Sequence, residues 1–509
     1  MMNTIRSHAA ERPDALAVRD SHTSLTWSGF VDAIDKFAED LNDLGVRPRD
    51  PVLLLLDSCV ESIVAYWAVR QIDAIAVIGD PGCKRFELEH YLDSTGARHV
   101  LATRPGTIDR VEGSSAPLGV HWLHQSADRV DELRAWSNWE DGAPPRSSRV
   151  QVEDAAVILF SSGTTGTPKT IVHTRRSILA LHHTQRDVWS LDTNDVVLGA
   201  LPFHTVYGAI FSAASAAYNG SSLVLLERFD ARKVLGLIES ERVTTAALVP
   251  TMIVMMLNVE ESFDLSSLRM TLTGSAPIAE EDISRFAALT GAPLLSSYGM
   301  TECPGAATER PVSAHRPGSA GQISPDFEVC ARDDSGNPLT TGEIGEITLR
   351  GPTLMSGYLH QPELTASRIV DGWIHTQDIG YVDADGYIYV SGRNTDMIIR
   401  GGLNIAPREV EAVIGQHSAV MTCAVVGKDD RLYGQVVKAY VVLHPGALRS
   451  SILDELSRHC LDRLSRAKVP VEFVAVRELP INAGGKVLRS ELSAREEQLR
   501  IDIEGEENR

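Results

Sequence analysis

One short segment, residues 161–170, carries the side chains best suited to holding an anion. It contains six hydroxyl side chains, two glycines and one lysine, and it directly follows the apolar run at residues 155–160. Glycines let the backbone approach an anion, hydroxyl groups donate hydrogen bonds to its oxygens, and a lysine adds a positive charge. The composition predicts a phosphate-binding loop with these candidate ligands: Ser162, Thr164, Thr165, Gly166 and Lys169.

The spacing of this loop differs from that of a Walker A motif. Counted from Gly163, Pro168 stands where a mononucleotide P-loop requires its second glycine. The segment is therefore not expected to be a P-loop of that kind. A surface turn rich in serine, threonine and glycine is the alternative interpretation, and the lysine and the preceding strand pattern argue against it.

The surrounding sequence has the pattern of an α/β protein. Continuous apolar runs at residues 51–56 and 74–78 flank a helical pattern at 59–68. Strands that are apolar on both faces and alternate with helices are typical of parallel sheets covered on both sides. Residues 104–149 have scattered charges, glycines and prolines, and we expect an irregular surface there.

The chain is too long for one hydrophobic core. At 509 residues it should form at least two domains. A second compact α/β pattern begins beyond Gly392, with apolar stretches at residues 409–414, 424–426 and 438–443. We therefore predict a large N-terminal domain, residues 1–392, of parallel or mixed sheets covered by helices, and a small C-terminal α+β domain, residues 393–509.

Composition excludes several classes of function. The formal net charge of −20 disfavours a nucleic-acid-binding surface, which needs clustered basic residues. The six cysteines show no metal-ligand spacing, and the N-terminus lacks the apolar core of a signal peptide. Apolar stretches are interrupted before they reach the run of about 20 residues that spans a bilayer. These features predict a cytoplasmic protein without nucleic-acid or membrane partners.

Four further segments, together with the glycine-rich loop, resemble the motifs of the adenylate-forming superfamily, which comprises acyl- and aryl-CoA synthetases, stand-alone adenylation enzymes and luciferases. They are residues 297–302 (SYGMTE), 372–381 (GWIHTQDIGY), 392–402 (GRNTDMIIRGG) with 404–411, and 482–489 (NAGGKVLR). Their order and their spread over nearly the whole chain make coincidence a poor explanation. The resemblance implies ATP and Mg²⁺ as cofactors. It also implies a mobile C-terminal domain that rotates between two half-reactions.

The resemblance gives roles to residues around the nucleotide. It implies that Thr301 donates to the α-phosphate and that Glu302 holds Mg²⁺, a cation that prefers carboxylate and phosphate oxygens. Asp378 has two acceptor oxygens suited to a ribose diol, and Arg393 is expected to assist there. Tyr298 is expected to stack on adenine. In isolation these residues would be read as a solvated glutamate, a turn aspartate and a core tyrosine.

A second lysine lies in the C-terminal segment. Lys486 matches the family lysine that contacts the α-phosphate and the substrate carboxylate during adenylation. The two glycines before it suit a loop that fits closely and then withdraws. A surface lysine in a turn is the alternative interpretation for Lys486 taken alone.

The acid-binding pocket is also implied by the resemblance. His204 follows Leu-Pro-Phe and resembles the Pro-x-x-His of acyl- and aryl-CoA ligases, shortened by one residue. No aspartate suited to an α-ammonium group is evident in this segment, which disfavours an α-amino acid substrate. The other expected pocket residues are small or apolar: Val206, Gly208, Gly274, Ser275, Ala276, Gly299 and Pro304.

Three positions depart from the family pattern. Thr170 and Gln377 each replace a usual glycine, after the phosphate loop and before the ribose aspartate respectively, and Thr395 replaces a charged residue at the hinge. The first two are expected to alter loop geometry or nucleotide affinity. The third bears on domain rotation.

Together the residues predict an ATP-dependent ligase. It should activate an aryl or short-to-medium acyl acid as acyl-AMP with release of pyrophosphate, and then transfer the acyl group to the thiol of CoA or of a pantetheinyl carrier protein. A monomer or homodimer is expected. The alternatives are an adenylating ligase with an amine or other non-thiol acceptor, and a nucleotide-binding regulator with weak turnover.

Overall fold

The computed structural model describes residues 1–104, 119–123, 133–137, 150, 152–161, 168–311, 315–393, 396–401, 403–481 and 487–501. Two compact units make up the chain. The first comprises Met1–Ser275, Asp282–Glu328 and Leu349–Ile374, and the second comprises Ala276–Glu281, Val329–Thr348 and His375–Arg509. The domain boundary at residues 392 and 393 stays a prediction.

Two large sheets lie in the first unit. One contains β1 (Leu16–Arg19), β2 (Ser24–Thr26), β10 (Val196–Gly199), β11 (Ser222–Leu225), β12 (Thr245–Leu248), β13 (Met270–Thr273), β14 (Leu294–Met300), β15 (Cys303–Thr308) and β16 (Gln322–Ile323). Its order is β16-β15-β14-β13-β12-β10-β11-β1-β2. The other contains β3 (Pro51–Leu55), β4 (Ile75–Ile78), β5 (His99–Ala102), β6 (Gly119–Leu123), β7 (Leu133–Ser137), β8 (Ala155–Ser161), β9 (Lys169–Thr174) and β19 (Gly357–Tyr358). Its order is β19-β9-β8-β4-β3-β5-β6-β7.

Two smaller sheets follow. One contains β17 (Glu328–Arg332), β18 (Gly345–Arg350), β20 (Ile369–Val370), β21 (Trp373–Val382) and β22 (Ile388–Arg393). Its order is β17-β18-β21-β20, with β22 paired to β21. The other lies in the second unit and contains β23 (Ile398–Arg400), β24 (Leu403–Ile405), β25 (Val420–Asp430), β26 (Gly434–Leu443) and β27 (Glu472–Ala475). Its order is β24-β23-β26-β25, with β27 paired to β26.

The helices are α1 (Met2–Glu11), α2 (Trp27–Asp43), α3 (Val60–Gln71), α4 (Arg85–Thr95), α5 (Arg175–Trp189), α6 (Ser215–Asn219), α7 (Ala231–Ser240), α8 (Pro250–Leu257), α9 (Glu280–Thr290), α10 (Pro362–Arg368), α11 (Pro407–Ile414), α12 (Ile452–Leu461), α13 (Arg489–Ala494) and α14 (Glu496–Leu499). A π-helix, Val206–Ala214, precedes α6. The predicted α/β fold class is confirmed. Within the described residues, no helix has the length and apolar character needed to cross a membrane.

The expectation of an irregular surface at residues 104–149 is wrong at two places. Residues 119–123 form β6, which pairs in parallel with β5, and residues 133–137 form β7, which pairs with β6 in antiparallel orientation. Both strands contain a tryptophan and other residues favoured in sheets. Their apolar runs are too short to stand out from the flanking glycines, serines and charges.

Helix α3 lies at the centre of the first unit. Every residue from Val60 to Arg70 is buried. Its apolar side chains share one core cluster with residues of α2, α5 and both large sheets. A helix that is apolar on all sides is stable only when it is covered on all sides, which accounts for its central position.

Candidate active site

The predicted phosphate loop connects two strands of a hairpin. Ser161 at the end of β8 pairs with Lys169 at the start of β9. Ser162, Thr164, Thr165 and Gly166 lie outside the described residues, so their roles stay predictions. Thr170 is buried within β9 opposite Phe160, which explains how a threonine replaces the usual glycine there without a special backbone conformation.

Glu302 follows the end of β14 and is nearly buried. Its side chain accepts a hydrogen bond of 2.9 Å from the hydroxyl of Tyr358, and the residue is 5% exposed. Its carbonyl accepts a hydrogen bond of 2.8 Å from the backbone N–H of Met355. Because burying a carboxylate without partners is costly, these contacts fix the carboxylate in one position. A fixed, nearly buried carboxylate fits the predicted role of Glu302 as a ligand of Mg²⁺.

Tyr358 contacts both Lys169 and Glu302, and sequence reasoning missed it. Tyr358 in β19 pairs with Ile171 of β9, and Lys169 Nζ lies 5.4 Å from the centre of the Tyr358 ring. Burial and the negative charge of Glu302 raise the pKa of Tyr358. Its phenol therefore stays protonated and donates to the carboxylate. A lone tyrosine after a glycine gave no signal for this role.

His173 fixes the backbone next to Glu302, and it too was missed. Its Nε2 donates a hydrogen bond of 2.8 Å to the carbonyl of Thr301. Burial lowers the pKa of His173 to about 4, so the imidazole is neutral near pH 7. His173 and Lys169 point to the same face of β9 because alternate residues of a strand do so. One strand thus positions both the lysine and the segment that carries Thr301.

The predicted wall of the acid pocket begins at the N-terminus of the π-helix. His204 Nδ1 lies 3.9 Å from a carboxylate oxygen of Asp80, and burial lowers the pKa of His204. Thr205 caps the helix by accepting a hydrogen bond of 2.9 Å from the N–H of Gly208. Among the described residues, His204 Nε2 and the Tyr207 hydroxyl have no hydrogen-bond partner although both are buried. π-helical turns are frequent at functional sites.

Three predicted pocket glycines are required by the backbone. A Cβ atom on Gly208 would lie 2.1 Å from the carbonyl oxygen of Pro202. On Gly274 it would lie 2.8 Å from the carbonyl oxygen of Ser297, and on Gly299 it would lie 2.8 Å from the backbone nitrogen of Gly305. These distances leave no room for any side chain. Close approach of two backbone segments therefore explains each glycine without reference to a substrate.

The remaining predicted residues of this region occupy defined places. Val206 opens the π-helix, and Pro304 in β15 accepts a hydrogen bond of 2.7 Å from Thr353. Tyr298 is half-buried in β14, where it pairs with Ala307. Ser275 is the last residue of a segment of the first unit and has a φ of 71°. Ala276 belongs to the second unit. The described contacts do not join these residues to His204, so their pocket role stays a prediction.

Asp378 and Arg393 are cross-strand partners in the second unit. They face each other in β21 and β22, and Arg393 Nε donates a hydrogen bond of 2.8 Å to Asp378, which is 7% exposed. The preceding residue, Gln377, has a φ of 65°, a left-handed conformation that favours glycine. Glu346 holds this backbone in place through a hydrogen bond of 2.9 Å from the N–H of Gln377.

Lys486 and Thr395 lie outside the described residues, and their roles stay predictions. The residues on either side of 482–486 contact each other, because Ile481 and Val487 form an antiparallel β-bridge. Arg489 donates a hydrogen bond of 2.7 Å to Glu411 and forms a weaker ion pair with Asp396 at 3.4 Å. These contacts hold Arg489, which follows the segment 482–486, against other described residues of the second unit.

Comparisons with known proteins agree with this geometry. The family model "AMP-binding enzyme" matches residues 5–359, and the model "AMP-binding enzyme C-terminal domain" matches residues 409–486. The chain is 32% identical over 499 residues to a 2-succinylbenzoate–CoA ligase of Geobacillus sp., with 96% of each chain covered.

Two solved structures resemble the chain over nearly its whole length. One is an anthranilate CoA ligase in complex with anthranoyl-AMP, with a TM-score of 0.87, 26% identity and 97% of each chain covered. The other is an amide bond synthetase from Marinactinospora thermotolerans, with a TM-score of 0.84, 27% identity, and coverage of 97% of this chain and 99% of that chain.

These findings confirm the predicted class of enzyme. ATP, Mg²⁺ and CoA are the reactants and metal ion of adenylate-forming CoA ligases, as the resemblance implied. The chain therefore belongs to the AMP-binding enzymes and is an adenylate-forming ligase of the acid–thiol type.

Proposed function

We propose that this enzyme activates an aromatic carboxylic acid that carries a polar substituent, and transfers the acyl group to CoA. In the first half-reaction a carboxylate oxygen attacks the α-phosphorus of ATP and pyrophosphate leaves. In the second, a thiol sulfur attacks the acyl carbon and AMP leaves. Two anions meet in the first step, so positive charge and hydrogen-bond donors at the phosphates lower its barrier.

We assign the nucleotide roles as follows. Lys169 and the hydroxyls of Thr164 and Thr165 hold the β- and γ-phosphates. Thr301 donates to the α-phosphate, and Glu302 holds Mg²⁺, which neutralises phosphate charge when bound. The contacts of Tyr358 with Glu302 and Lys169 support this assignment, because they bring the candidate metal ligand and the candidate phosphate ligand to one tyrosine.

The ribose and the acyl transfer involve the second unit. We propose that Asp378 accepts hydrogen bonds from the ribose hydroxyls and that Arg393 orients it, which the hydrogen bond of 2.8 Å between them supports. Tyr298 stacks on adenine. Lys486 contacts the α-phosphate and the substrate carboxylate during adenylation and leaves when the C-terminal domain rotates.

The proposal that the acid has a polar substituent rests on the hydroxyl of Tyr207. It is buried without a partner among the described residues, and a Cβ on Gly274 would lie 3.7 Å from it. A buried hydroxyl without a partner costs free energy, which a polar substituent of the substrate would recover. His204 Nε2 is a second such atom in the same segment. The two relatives named above as CoA ligases act on 2-succinylbenzoate and anthranilate, which are aromatic acids with a polar group.

A panel of acids tests this proposal. Pyrophosphate release should be measured with benzoate, 2-aminobenzoate, 4-hydroxybenzoate, octanoate and phenylalanine. We expect a substituted benzoate to be best, and Tyr207→Phe should reduce its kcat/KM by about tenfold while changing benzoate little. An equal effect of Tyr207→Phe on the best substituted benzoate and on benzoate itself would contradict the proposed acid, and so would a preference for octanoate or phenylalanine.

The acceptor needs separate measurements. Product formation should be followed with CoA, with a pantetheinylated carrier protein, with an amine, and with no acceptor. The amide bond synthetase neighbour is the specific reason to include the amine. Thioester formation with CoA supports the proposal, and faster amide formation would replace it. Sedimentation of the same sample would distinguish a monomer from a homodimer.

A further inference from the structure

A buried arginine at the end of α3 has no carboxylate partner among the described residues. Arg70 is 4% exposed, and its Nη1 donates a hydrogen bond of 2.6 Å to the carbonyl of Ala74. Its Nε has no hydrogen-bond partner in the described part of the chain. Burying a charge without a counter-charge is strongly unfavourable. The position of Arg70 therefore calls for an acceptor that the side chains around it do not supply.

Arg70 lines a cavity of about 210 Å³. Trp67, one turn earlier on α3, also lines it, and Trp67 Nε1 is buried without a partner among the described residues. The indole N–H and the guanidinium group can only donate hydrogen bonds. Two residues one turn apart on a buried helix, each with a donor unpaired among the described residues, thus line the same cavity.

Three other polar residues of the cavity wall, Gln71, Asp73 and Arg175, already have partners. Arg175 forms an ion pair with Asp73 at 2.8 Å and another with Asp154 at 3.3 Å. The amide of Gln71 donates a hydrogen bond of 2.7 Å to Asp35. Asp73 is the acidic residue of the cavity wall, and Arg175 offsets its charge. Among the described residues, Arg70 is thus a buried cation of this cavity that contacts no carboxylate.

We propose that this cavity is a binding site for a small oxyanion, either a carboxylate or a phosphate group, held by Arg70 and Trp67. An oxyanion supplies acceptors for both unpaired donors and a counter-charge for the guanidinium. The volume is below the roughly 300–1,000 Å³ of pockets for drug-sized ligands, so a nucleotide is excluded and an anion of a few atoms fits. Ordered water is the competing occupant.

This site is separate from the phosphate loop. Lys169 begins β9, and Arg175 follows the end of the same strand. A strand rises about 3.3 Å per residue, so the two side chains are attached roughly 20 Å apart. Anion binding at Arg70 can therefore be measured independently of nucleotide binding at Lys169.

Thermal unfolding of the full chain tests the site. The midpoint should be measured in sodium chloride, sodium acetate and sodium phosphate at equal ionic strength, for the wild type, Arg70→Met, Trp67→Phe and the exposed control Arg85→Met. A ligand that binds the native state raises the midpoint in proportion to its occupancy. We expect acetate or phosphate to raise the midpoint above that in chloride, and the anion that does so identifies the group bound.

The variants separate the proposal from its competitors. Arg70→Met should fold, because a methionine of similar length removes an uncompensated buried charge, and it should lose the oxyanion response. Trp67→Phe should need on the order of tenfold more oxyanion for half of the response, while Arg85→Met should respond like the wild type. Because Lys169 is itself a proposed phosphate ligand, the comparison is repeated in a Lys169→Ala background, where the Arg70-dependent response should remain. A response that persists undiminished in the Arg70→Met/Lys169→Ala double variant, or that Lys169→Ala alone abolishes, would overturn the proposal. So would a wild type that responds to neither oxyanion, which would indicate water in the cavity.

Discussion

The hydroxyl of Tyr358 is expected to hold Glu302 in position for the nucleotide, and Tyr358→Phe tests this. The hydroxyl donates a hydrogen bond of 2.9 Å to the carboxylate of Glu302, a residue that is 5% exposed. A hydrogen bond to a charged acceptor contributes about 1.5–3 kcal/mol, and loss of this amount in the transition state corresponds to roughly a 10- to 150-fold decrease in rate. We therefore expect kcat/KM for Mg·ATP to fall by one to two orders of magnitude in a pyrophosphate-exchange assay.

Two further variants define the origin of the effect. Tyr358→Phe keeps the ring that Lys169 Nζ approaches to 5.4 Å, whereas Tyr358→Leu removes it, so the second variant should be more damaging. Tyr440→Phe is the matched control, because the hydroxyl of Tyr440 also donates a hydrogen bond of 2.9 Å to a carboxylate, that of Glu496. The control should change stability by a similar amount and leave the exchange rate unchanged.

A double-mutant cycle with Glu302→Gln decides the mechanism. If the hydroxyl acts through the carboxylate, the two substitutions should cost much less together than the sum of their separate effects. Additive losses would refute the assignment, as would wild-type kinetics for Tyr358→Phe. An increase in the Mg²⁺ concentration needed for half-maximal exchange should accompany the loss in the single variant.

Four further outcomes are expected. Gln377→Gly should raise the free energy of unfolding by about 1 kcal/mol in denaturant titrations, because Gln377 has a φ of 65°, and a destabilised variant would contradict this. Burial lowers the pKa of His182 to about 3, so between this value and pH 6.5 the unfolded chain binds a proton that the native protein does not, and stability falls as pH decreases. His182→Phe should reduce the slope of unfolding free energy against pH by about 1.4 kcal/mol per pH unit between about pH 4 and 6, and an unchanged slope would exclude this histidine. Lys486→Ala should slow ATP-dependent activation about 100- to 1,000-fold yet still convert synthetic acyl-AMP with CoA, and equal losses in both assays would contradict its role. Thr395→Pro, with a fixed φ, should block thiol transfer while adenylation continues, so bound acyl-AMP should accumulate in rapid-quench measurements, and normal transfer would exclude Thr395 as the pivot.

Short, distinctive motifs carried most of what could be inferred from the sequence. The order of those motifs led to the enzyme class, which the comparisons confirm. Asp378 and Arg393 contact each other, and their shared role at the ribose stays a prediction. The alternation of apolar runs and helical patterns gave β3, α3 and β4 close to their observed bounds. In these cases the information is local, because a few neighbouring residues specify the strand, the helix or the loop.

Residues whose roles arise from distant pairing could not be predicted in this way. Tyr358 reaches Glu302 because β19 pairs with β9, and His173 reaches Thr301 across 128 positions of the chain. Neither has a neighbouring pattern that distinguishes it from an ordinary core residue. The three glycines predicted for the acid pocket are the opposite case, because their positions were anticipated but their structural reason was not. Their positions were expected from the family, yet the reason for Gly208 is its contact with the backbone of Pro202.

That close contact restricts how the choice of acid can evolve. Enzymes commonly change specificity by exchanging a small wall residue for a larger one, which fills part of the cavity. Gly208, Gly274 and Gly299 are closed to this route, since even a methyl group would collide with main-chain atoms that cannot rotate away. If these glycines line the acid pocket as predicted, selection or design for a differently shaped acid must act on neighbouring side chains such as Val206 and Tyr207.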